Sequence, residues 1–255
     1  LAVGVETTTG PLGQGCANSV GMAISSRWLG AQYNRPDATL FNFDTYVLCS
    51  DGDLMEGVAS ESASLAGHLQ LANLCWIYDD NKITIEGETD LAFSEDVGRR
   101  FEGFGWRVEY VDDANDASSL SRALQAFKHE TEKPTLIVVK SVIGFGAPTK
   151  AGSHSSHGAP LGPDEIAGAK EAYDWPTQET FHVPNGVVEH FQGSISARGQ
   201  HANASWQTAH QKLASSEPTA AKELDYMLAG KLPEGWADAI PEFLADAKGL
   251  ASRVS

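Results

Sequence analysis

Two short polar segments combine the residue types that hold a hard cation beside a phosphate. The first is Asp51-Gly52, and the second is Asn81 with the loop that follows it. A carboxylate, a side-chain amide oxygen and a backbone carbonyl oxygen are ligands that Mg²⁺ and Ca²⁺ take, often while the cation also contacts phosphate. Gly52 adds a position where the backbone can turn tightly and approach a diphosphate. Asp-Gly and Asp-Asn pairs are also ordinary turn residues, so either segment alone is weak evidence.

The position of these segments along the chain makes their combination more specific. Each follows an apolar run that is typical of a buried strand, residues 46–49 in the first case and residues 74–78 in the second. A helix is predicted between them, over residues 56–71. In an open α/β sheet, ligands bind outside the carboxyl ends of the strands. The spacing therefore predicts that both polar segments lie at one edge of a parallel sheet.

Strand and helix patterns continue to alternate after the second segment. We expect Ser94 to cap a helix, which a strand at residues 106–111 follows. A further helix opens at Asp116 or Ser118, and residues 134–139 form a continuous β-prone run, as buried parallel strands do. This order predicts an α/β fold with a parallel sheet flanked by helices, followed by a helical extension.

The domain boundaries follow from shifts in composition. We expect residues 1–175 to form the α/β domain, residues 176–237 to be a helical extension of it, and residues 238–255 to be a linker toward a missing domain. The formal net charge of −16 argues against non-specific nucleic-acid binding and against an anionic membrane surface. The chain has three cysteines, and no apolar run reaches the ~18 to 20 residues of a membrane helix. A cytoplasmic enzyme is the simplest interpretation.

A long loop at residues 140–162 is rich in glycine, serine and histidine. Loops of this length are usually functional or disordered. Around Ile143 the glycines let the backbone pass close to a ligand, and His154 and His157 bracket two serines. Imidazole can contact an anion and can transfer a proton near neutral pH. The alternative is a flexible surface loop with incidental histidines.

Four segments, in this order and at this spacing, resemble the diphosphate-binding domain of the transketolase family. They are TTGPLGQG at residues 8–15, DGDLMEG at 51–57, DDNKITI at 79–85 and AGSHSSHGAPLG at 151–162. The resemblance covers roughly residues 1–240. One position departs from the family pattern, because Ser50 stands where the family usually has the first glycine of Gly-Asp-Gly.

The resemblance implies a cofactor, a metal and a set of site residues. The cofactor is thiamine diphosphate with Mg²⁺ or Ca²⁺, bound by the thiamine diphosphate-binding fold. Asp51 and Asn81 become side-chain metal ligands, and Ile83 contributes its carbonyl. The other residues expected to contact the cofactor are Gly10, Leu12, Gly52, Glu56, Asn81, Ile143 and His157. His157 is the expected catalytic residue, and Glu56 and Glu61 are expected near a dimer interface.

The implied reaction is two-carbon ketol transfer between ketose and aldose phosphates, a step of the pentose phosphate pathway. The implied partners are sugar-phosphate substrates and either a second transketolase subunit, in a homodimer, or a missing pyrimidine-binding domain. Only nine residues precede Gly10, whereas the family has further histidines before that point. The glutamate that activates the aminopyrimidine belongs to another domain. We therefore expect the chain, a fragment or one subunit of a split enzyme, to be inactive alone.

Two alternatives stay open from the sequence. The chain could belong to another thiamine diphosphate enzyme, of the deoxyxylulose-phosphate synthase or keto-acid dehydrogenase type, because these share the metal-binding segments. It could also be an incomplete, non-catalytic domain that keeps the fold without binding the cofactor tightly.

Overall fold

The computed structural model of the protein describes residues 4–232, 235–243 and 247–253. These residues form two compact units. The first comprises the described residues up to Ala31 together with Phe41–Gly193. The second comprises Gln32–Leu40 and the described residues from Ser194 onward. The predicted boundaries at residues 175 and 237 remain a separate proposal about domain organisation.

The first unit contains a four-stranded parallel sheet in the order β1-β2-β4-β3. The strands are β1 (Thr45–Ser50), β2 (Leu74–Asp80), β3 (Arg107–Val111) and β4 (Thr135–Lys140). In the register of this sheet, Ser50 lies opposite Asp79, and Asp80 lies opposite Lys140. The segments that follow β1, β2 and β4 therefore leave the sheet at the same edge. The predicted fold class is confirmed.

Helices connect the strands and continue after the sheet. The α-helices are α1 (Gln14–Tyr33), α2 (Asp51–Met55), α3 (Gly57–His68), α4 (Val97–Gly103), α5 (Ala117–His129), α6 (Pro163–Ala172), α7 (Val187–Phe191), α8 (Ala197–Ser216) and α9 (Pro218–Leu228). Short 3₁₀ turns occur at Thr89–Leu91, His154–Ser156 and Trp236–Ala239, and a π-helical turn occurs at Gln192–Ser196.

The side chains of β2 alternate between two hydrophobic clusters, one on each face of the sheet. Trp76 and Tyr78 belong to the cluster that includes residues of α1, α3 and α4, whereas Cys75 packs with residues of α5. The indole N–H of Trp76 donates a hydrogen bond to Oγ of Ser19 in α1 at 2.9 Å. This polar contact fixes α1 against the sheet, and burial of the two apolar faces stabilises the layered arrangement.

Two helix starts differ from the sequence expectation. The connection between β1 and β2 was predicted to be helical from residue 56, but α2 begins at Asp51, directly after the strand. The expected cap Ser94 is wrong, because the N-cap of α4 is Asp96, whose Oδ1 accepts from the backbone N–H of Arg99 at 3.1 Å. Serine and aspartate cap helices about equally well, so local preference could not choose between the two positions.

The second unit is built on α8 and α9, which bury Leu213 and Leu224. Within this unit the guanidinium group of Arg35 donates two hydrogen bonds, each 2.5 Å long, to the two carboxylate oxygens of Glu217. Such paired contacts are stronger than single surface ion pairs. They connect Arg35 to the residue that precedes α9. Among the helices in the described ranges, none has the length and apolar character needed to cross a membrane.

Candidate functional site

Asp51 occupies the first position of α2, at the carboxyl end of β1, and it is 1% exposed. Its Oδ1 accepts a hydrogen bond of 2.5 Å from the hydroxyl of Tyr78 in β2. Its Oδ2 accepts a hydrogen bond of 3.1 Å from the backbone N–H of Lys82. The turn after β2 is therefore joined directly to the carboxylate that follows β1, as the sequence predicted for two segments at one sheet edge.

Hydrogen bonds within the turn after β2 hold its oxygen atoms in a defined arrangement. Oδ1 of Asn81 accepts from the backbone N–H of Ile83 at 2.9 Å, and Lys82 between them has a positive φ of 64°. The N–H of Thr84 donates to the carbonyl of Gly87, and the carbonyl of Lys82 accepts from Thr89. These two bonds lie on either side of Ile83, so neither uses its carbonyl oxygen.

The electrostatics of this edge favour a positive ligand. The pKa of Asp51 is raised, first by burial and then by the neighbouring charge of Asp80. Burial also raises the pKa of the Tyr78 hydroxyl, which lies 2.9 Å from Oδ1 of Asp80 as well as 2.5 Å from Asp51. Because the Tyr78 hydroxyl has one proton, it can donate to only one of these two carboxylates at a time. A divalent cation beside Asp51 would offset this concentration of negative charge.

The glycine-rich turn before α1 contacts the same end of β1. A Cβ at Gly52 would lie 3.1 Å from Cδ1 of Leu12, so these two predicted cofactor residues are neighbours. Gly13 has a positive φ of 74°, and a Cβ there would lie 2.8 Å from Cβ of Glu56. Leu12 and Gly13 therefore lie against residues 52–56, and the structure brings Leu12, Gly52 and Glu56 into one region.

Asp53 joins this glycine-rich turn to the end of β1. Its Oδ1 accepts from the backbone N–H of Gly13 at 2.9 Å, and its Oδ2 accepts from the backbone N–H of Ser50 at 3.0 Å. Asp53 is not among the site residues predicted from the sequence. The available signal was its spacing, because an acidic residue three positions after a serine is a common pattern at a helix start.

The loop at residues 141–162 reaches the turn after β2 through Gly152. The carbonyl of Ile143 accepts from the backbone N–H of Gly152 at 2.8 Å. Gly152 in turn lines a cavity of about 350 Å³ together with Asn81, Lys82 and Ile83. The remaining lining residues are Glu88, Thr89 and Asp90. The predicted cofactor residue Ile143 is thus hydrogen-bonded to a glycine that lines the same cavity as the predicted metal ligands Asn81 and Ile83.

Two predicted residues have less defined surroundings. His157 is exposed and follows the His154–Ser156 turn, where its backbone N–H donates to the carbonyl of His154 at 2.9 Å. A Cβ at Gly10 would meet no heavy atom within 4 Å outside its chain neighbours. Neither residue is joined by a described contact to the Asp51 and Asn81 pair, so their roles stay predictions.

The donor set at the sheet edge suits a cation that also contacts a phosphate. Within residues 4–232, 235–243 and 247–253, no group of three or more His, Cys, Asp or Glu side chains could hold a metal ion. The predicted ligands form a different kind of set, with one carboxylate, one amide oxygen and one backbone carbonyl. Mg²⁺ is typically held by one or two carboxylates, with substrate phosphates and water completing its shell. The residues present fit thiamine diphosphate with such a cation.

Comparison with known proteins gives consistent matches. The family model for the transketolase thiamine diphosphate-binding domain matches residues 1–233. The transketolase of Geobacillus stearothermophilus is 47% identical over 252 residues, which are 99% of this chain and 38% of that protein. Transketolase 1 of Saccharomyces cerevisiae is 44% identical over 98% of this chain and 37% of its own length. The chain therefore spans somewhat over a third of the curated relatives that it matches.

Solved structures agree with these sequence matches. The transketolase of Pichia stipitis in complex with sedoheptulose-7-phosphate superposes with a TM-score of 0.88 at 43% identity, over 96% of this chain and 36% of that one. The transketolase of Leishmania mexicana gives a TM-score of 0.88 at 39% identity, over 94% of this chain and 36% of that one.

Proposed function

The chain belongs to the family of transketolase thiamine diphosphate-binding domains, and from this premise we propose that it supplies the diphosphate- and metal-binding part of a transketolase active site. The reaction of the complete enzyme is two-carbon ketol transfer between a ketose phosphate and an aldose phosphate. Thiamine diphosphate supplies the carbanion chemistry that breaking and making a carbon–carbon bond beside a carbonyl requires. The protein contributes binding, orientation and electrostatics.

The observation that carries this proposal is the hydrogen bond between the Lys82 N–H and Oδ2 of Asp51. It joins the ends of two neighbouring strands and brings Asp51 together with the turn that contains Asn81 and Ile83. In our proposal Asp51 and Asn81 bind the cation through side-chain oxygens, and Ile83 binds it through its carbonyl. Mg²⁺ and Ca²⁺ both accept such oxygen ligands.

The remaining residues divide between the two ends of the cofactor. Gly52 and Ile143 line the cofactor, and Gly10 and Leu12 lie near its aminopyrimidine ring. Glu56 lies on the side that faces a second subunit. His157 contacts cofactor and substrate and moves a proton between them and water, which is a role that imidazole performs near neutral pH.

The complete enzyme acts on sugar phosphates in the pentose phosphate pathway, in the cytoplasm, as a homodimer. The Pichia stipitis transketolase structure is a complex with a sugar phosphate, sedoheptulose-7-phosphate, which supports this substrate class. A pyrimidine-binding domain, from a second subunit or from a separate chain, completes the site. Alone, the chain binds the cofactor and does not turn over substrate.

Calorimetric titration of the chain with thiamine diphosphate, with and without Mg²⁺, tests this proposal. The matched variant is Asp51→Ala, which removes the carboxylate that joins the two strand ends. We expect metal-dependent binding by the wild-type chain and its loss in the variant. Binding that is absent at millimolar ligand would contradict the proposed cofactor site and favour a non-catalytic domain. Binding that ignores both the metal and Asp51 would contradict the ligand set.

A further inference from the structure

We propose that Asp79 is a positioning residue that orients the side-chain amide of Asn81, so that Asn81 offers oxygen rather than nitrogen to the cation. This inference rests on the proposed function, in which Asn81 is a metal ligand. Asp79 itself is not part of the ligand set predicted from the sequence. Its role follows from the contacts that its two carboxylate oxygens make.

The two ends of the Asn81 amide have partners of opposite kinds. Nδ2 donates to Oδ2 of Asp79 at 3.1 Å, and Oδ1 accepts from the backbone N–H of Ile83 at 2.9 Å. An ionised carboxylate only accepts hydrogen bonds, and a backbone N–H only donates them. Rotating the amide by 180° would place oxygen against oxygen at Asp79 and N–H against N–H at Ile83. Both contacts therefore select the same orientation.

Asp79 is in turn held by the neighbouring strand. The hydroxyl of Ser141, the residue directly after β4, donates to Oδ1 of Asp79. The backbone N–H of Ser141 also donates to the carbonyl of Asp80 at 3.4 Å. The carboxylate thus uses one oxygen for Ser141 and the other for Asn81. The end of β4 is connected through this carboxylate to the metal-binding turn.

The orientation of the amide decides whether the site has its second side-chain ligand. Hard cations such as Mg²⁺ and Ca²⁺ take oxygen ligands, and the amide NH₂ group is a hydrogen-bond donor. In the observed orientation, Oδ1 uses one of its two lone pairs for the N–H of Ile83 and keeps the other for a cation. In the flipped orientation the NH₂ group would face the cation instead. Outer contacts that orient a metal ligand typically change metal affinity by about 10- to 100-fold.

Asp79 is exposed, so its replacement should leave the fold largely intact. The isosteric substitution Asp79→Asn no longer selects one orientation of the Asn81 amide. An amide at position 79 can either donate to Oδ1 of Asn81 or accept from its Nδ2. We expect Asp79→Asn to weaken Mg²⁺-dependent thiamine diphosphate binding about tenfold. The matched control is Asp112→Asn, which removes the same charge from the residue that follows β3. We expect less than a twofold effect there.

The substitution Asn81→Asp distinguishes an orienting role of Asp79 from a purely structural one. A carboxylate at position 81 presents oxygen at both ends, and it is repelled by Asp79. In the Asn81→Asp background, Asp79→Asn should therefore strengthen binding, because the new amide donates to the carboxylate and the repulsion is lost. The double-mutant cycle should show effects of opposite sign in the two backgrounds. Weakening of similar size in both backgrounds would overturn the proposal.

Nuclear magnetic resonance of the side-chain amides tests the orientation without any ligand. The Asn81 Nδ2 signals are assigned by their loss in Asn81→Asp. We expect these signals to shift in Asp79→Asn and to stay unchanged in Asp112→Asn, and unchanged signals in both variants would overturn the positioning role. If the wild-type chain fails to bind Mg²⁺ and thiamine diphosphate, the proposed function of the isolated chain fails, while these spectra still decide whether Asp79 orients Asn81.

Discussion

The hydroxyl oxygen of Tyr78 lies 2.5 Å from Oδ1 of Asp51, and each of these residues is only 1% exposed. Tyr78 lies in β2, one of the two central strands of the sheet. Its ring belongs to the hydrophobic cluster, and its hydroxyl reaches Asp51 at the edge of the sheet. A buried carboxylate that lacked such a donor would be costly. Even with this hydrogen bond, the pKa of Asp51 is raised, because burial outweighs the effect of the bond. Ionisation of Asp51 therefore destabilises the ligand-free fold at the place where the cation is proposed to bind.

Replacing Asp51 by asparagine should stabilise the ligand-free chain near neutral pH. Because the folded pKa of Asp51 lies above its ordinary value of 3.8, the folded state binds this proton more tightly than the unfolded state does. The free energy of unfolding therefore falls as the pH rises from 3.8 to the raised folded pKa, and the loss is constant above that window. We expect Asp51→Asn to have the higher melting temperature at pH 7, with the difference shrinking as the pH falls through the window.

Scanning calorimetry from pH 3 to pH 7 measures this difference. Asp112→Asn, at an exposed position, serves as the charge-matched control and should change stability by less than about 0.5 kcal/mol. Adding Mg²⁺ and thiamine diphosphate should reverse the order, since only the chain with the Asp51 carboxylate gains stability by binding. A wild-type chain that is more stable than Asp51→Asn at pH 7 without ligand would contradict the prediction.

Replacing Asp53 by alanine should release the glycine-rich turn from α2. The substitution removes the acceptor for the backbone N–H groups of Gly13 and Ser50, at a cost of about 1–2 kcal/mol. We also expect weaker cofactor binding, because Leu12 would no longer be held beside Gly52. Hydrogen exchange at the Gly13 amide and the calorimetric affinity for Mg²⁺ and thiamine diphosphate measure the two effects.

The control for Asp53 is Asp116→Ala. Asp116 also accepts from two backbone N–H groups, those of Ser118 and Ser119 at the start of α5. Its loss should reduce stability by a similar amount and leave the Gly13 exchange rate and the cofactor affinity unchanged. Equal changes in Gly13 exchange for both variants would mean that Asp53 acts only through global stability.

The sheet and the contact between Asp51 and the turn that contains Asn81 could be predicted from the sequence, because both depend on strong local patterns. Two apolar runs, each followed by polar turn residues and separated by a helix, leave few arrangements other than a parallel sheet with a shared edge. The capping position of α4 could not be predicted in the same way. Ser94 and Asp96 are both good caps, and the helix begins after the second.

The supporting contacts of the site could not be predicted, because each joins residues that are distant in sequence. Tyr78 stands in a continuous apolar run, where the pattern does not show which side chains point to which face. The contact between Asp79 and Ser141 spans 62 positions, and it depends on the pairing of β2 with β4. Short motifs therefore indicated the proposed ligands, whereas the residues that contact them emerged only from the three-dimensional arrangement.

Replacing Gly67 by alanine should destabilise the first unit strongly. A Cβ at this position of α3 would lie 1.8 Å from the carbonyl oxygen of Phe104, so the backbone would have to move. We expect a loss of about 3 kcal/mol in the free energy of unfolding, as for a severely overpacked site. Urea denaturation measures it. The control Gly21→Ala, in α1 with no heavy atom within 4 Å, should instead gain about 0.5–1 kcal/mol.

Replacing Gly52 by alanine should weaken cofactor binding without lowering the stability of the fold. A Cβ there would lie 3.1 Å from Cδ1 of Leu12, whose half-exposed side chain is free to move, and alanine favours the helix α2. We therefore expect unchanged or slightly increased stability. Affinity for Mg²⁺ and thiamine diphosphate should fall about tenfold, about 1.4 kcal/mol, because the methyl group and the displaced Leu12 occupy space proposed for the cofactor.

The control for Gly52 is Gly103→Ala, at the last residue of α4, where a Cβ would meet no heavy atom within 4 Å. It should share the small gain in helix stability and leave the affinity unchanged. Thermal unfolding and calorimetric titration of both variants give the two quantities independently. If Gly52→Ala bound the cofactor as tightly as Gly103→Ala, the diphosphate would not approach the backbone at the start of α2, and the cofactor would have to lie elsewhere along the sheet edge.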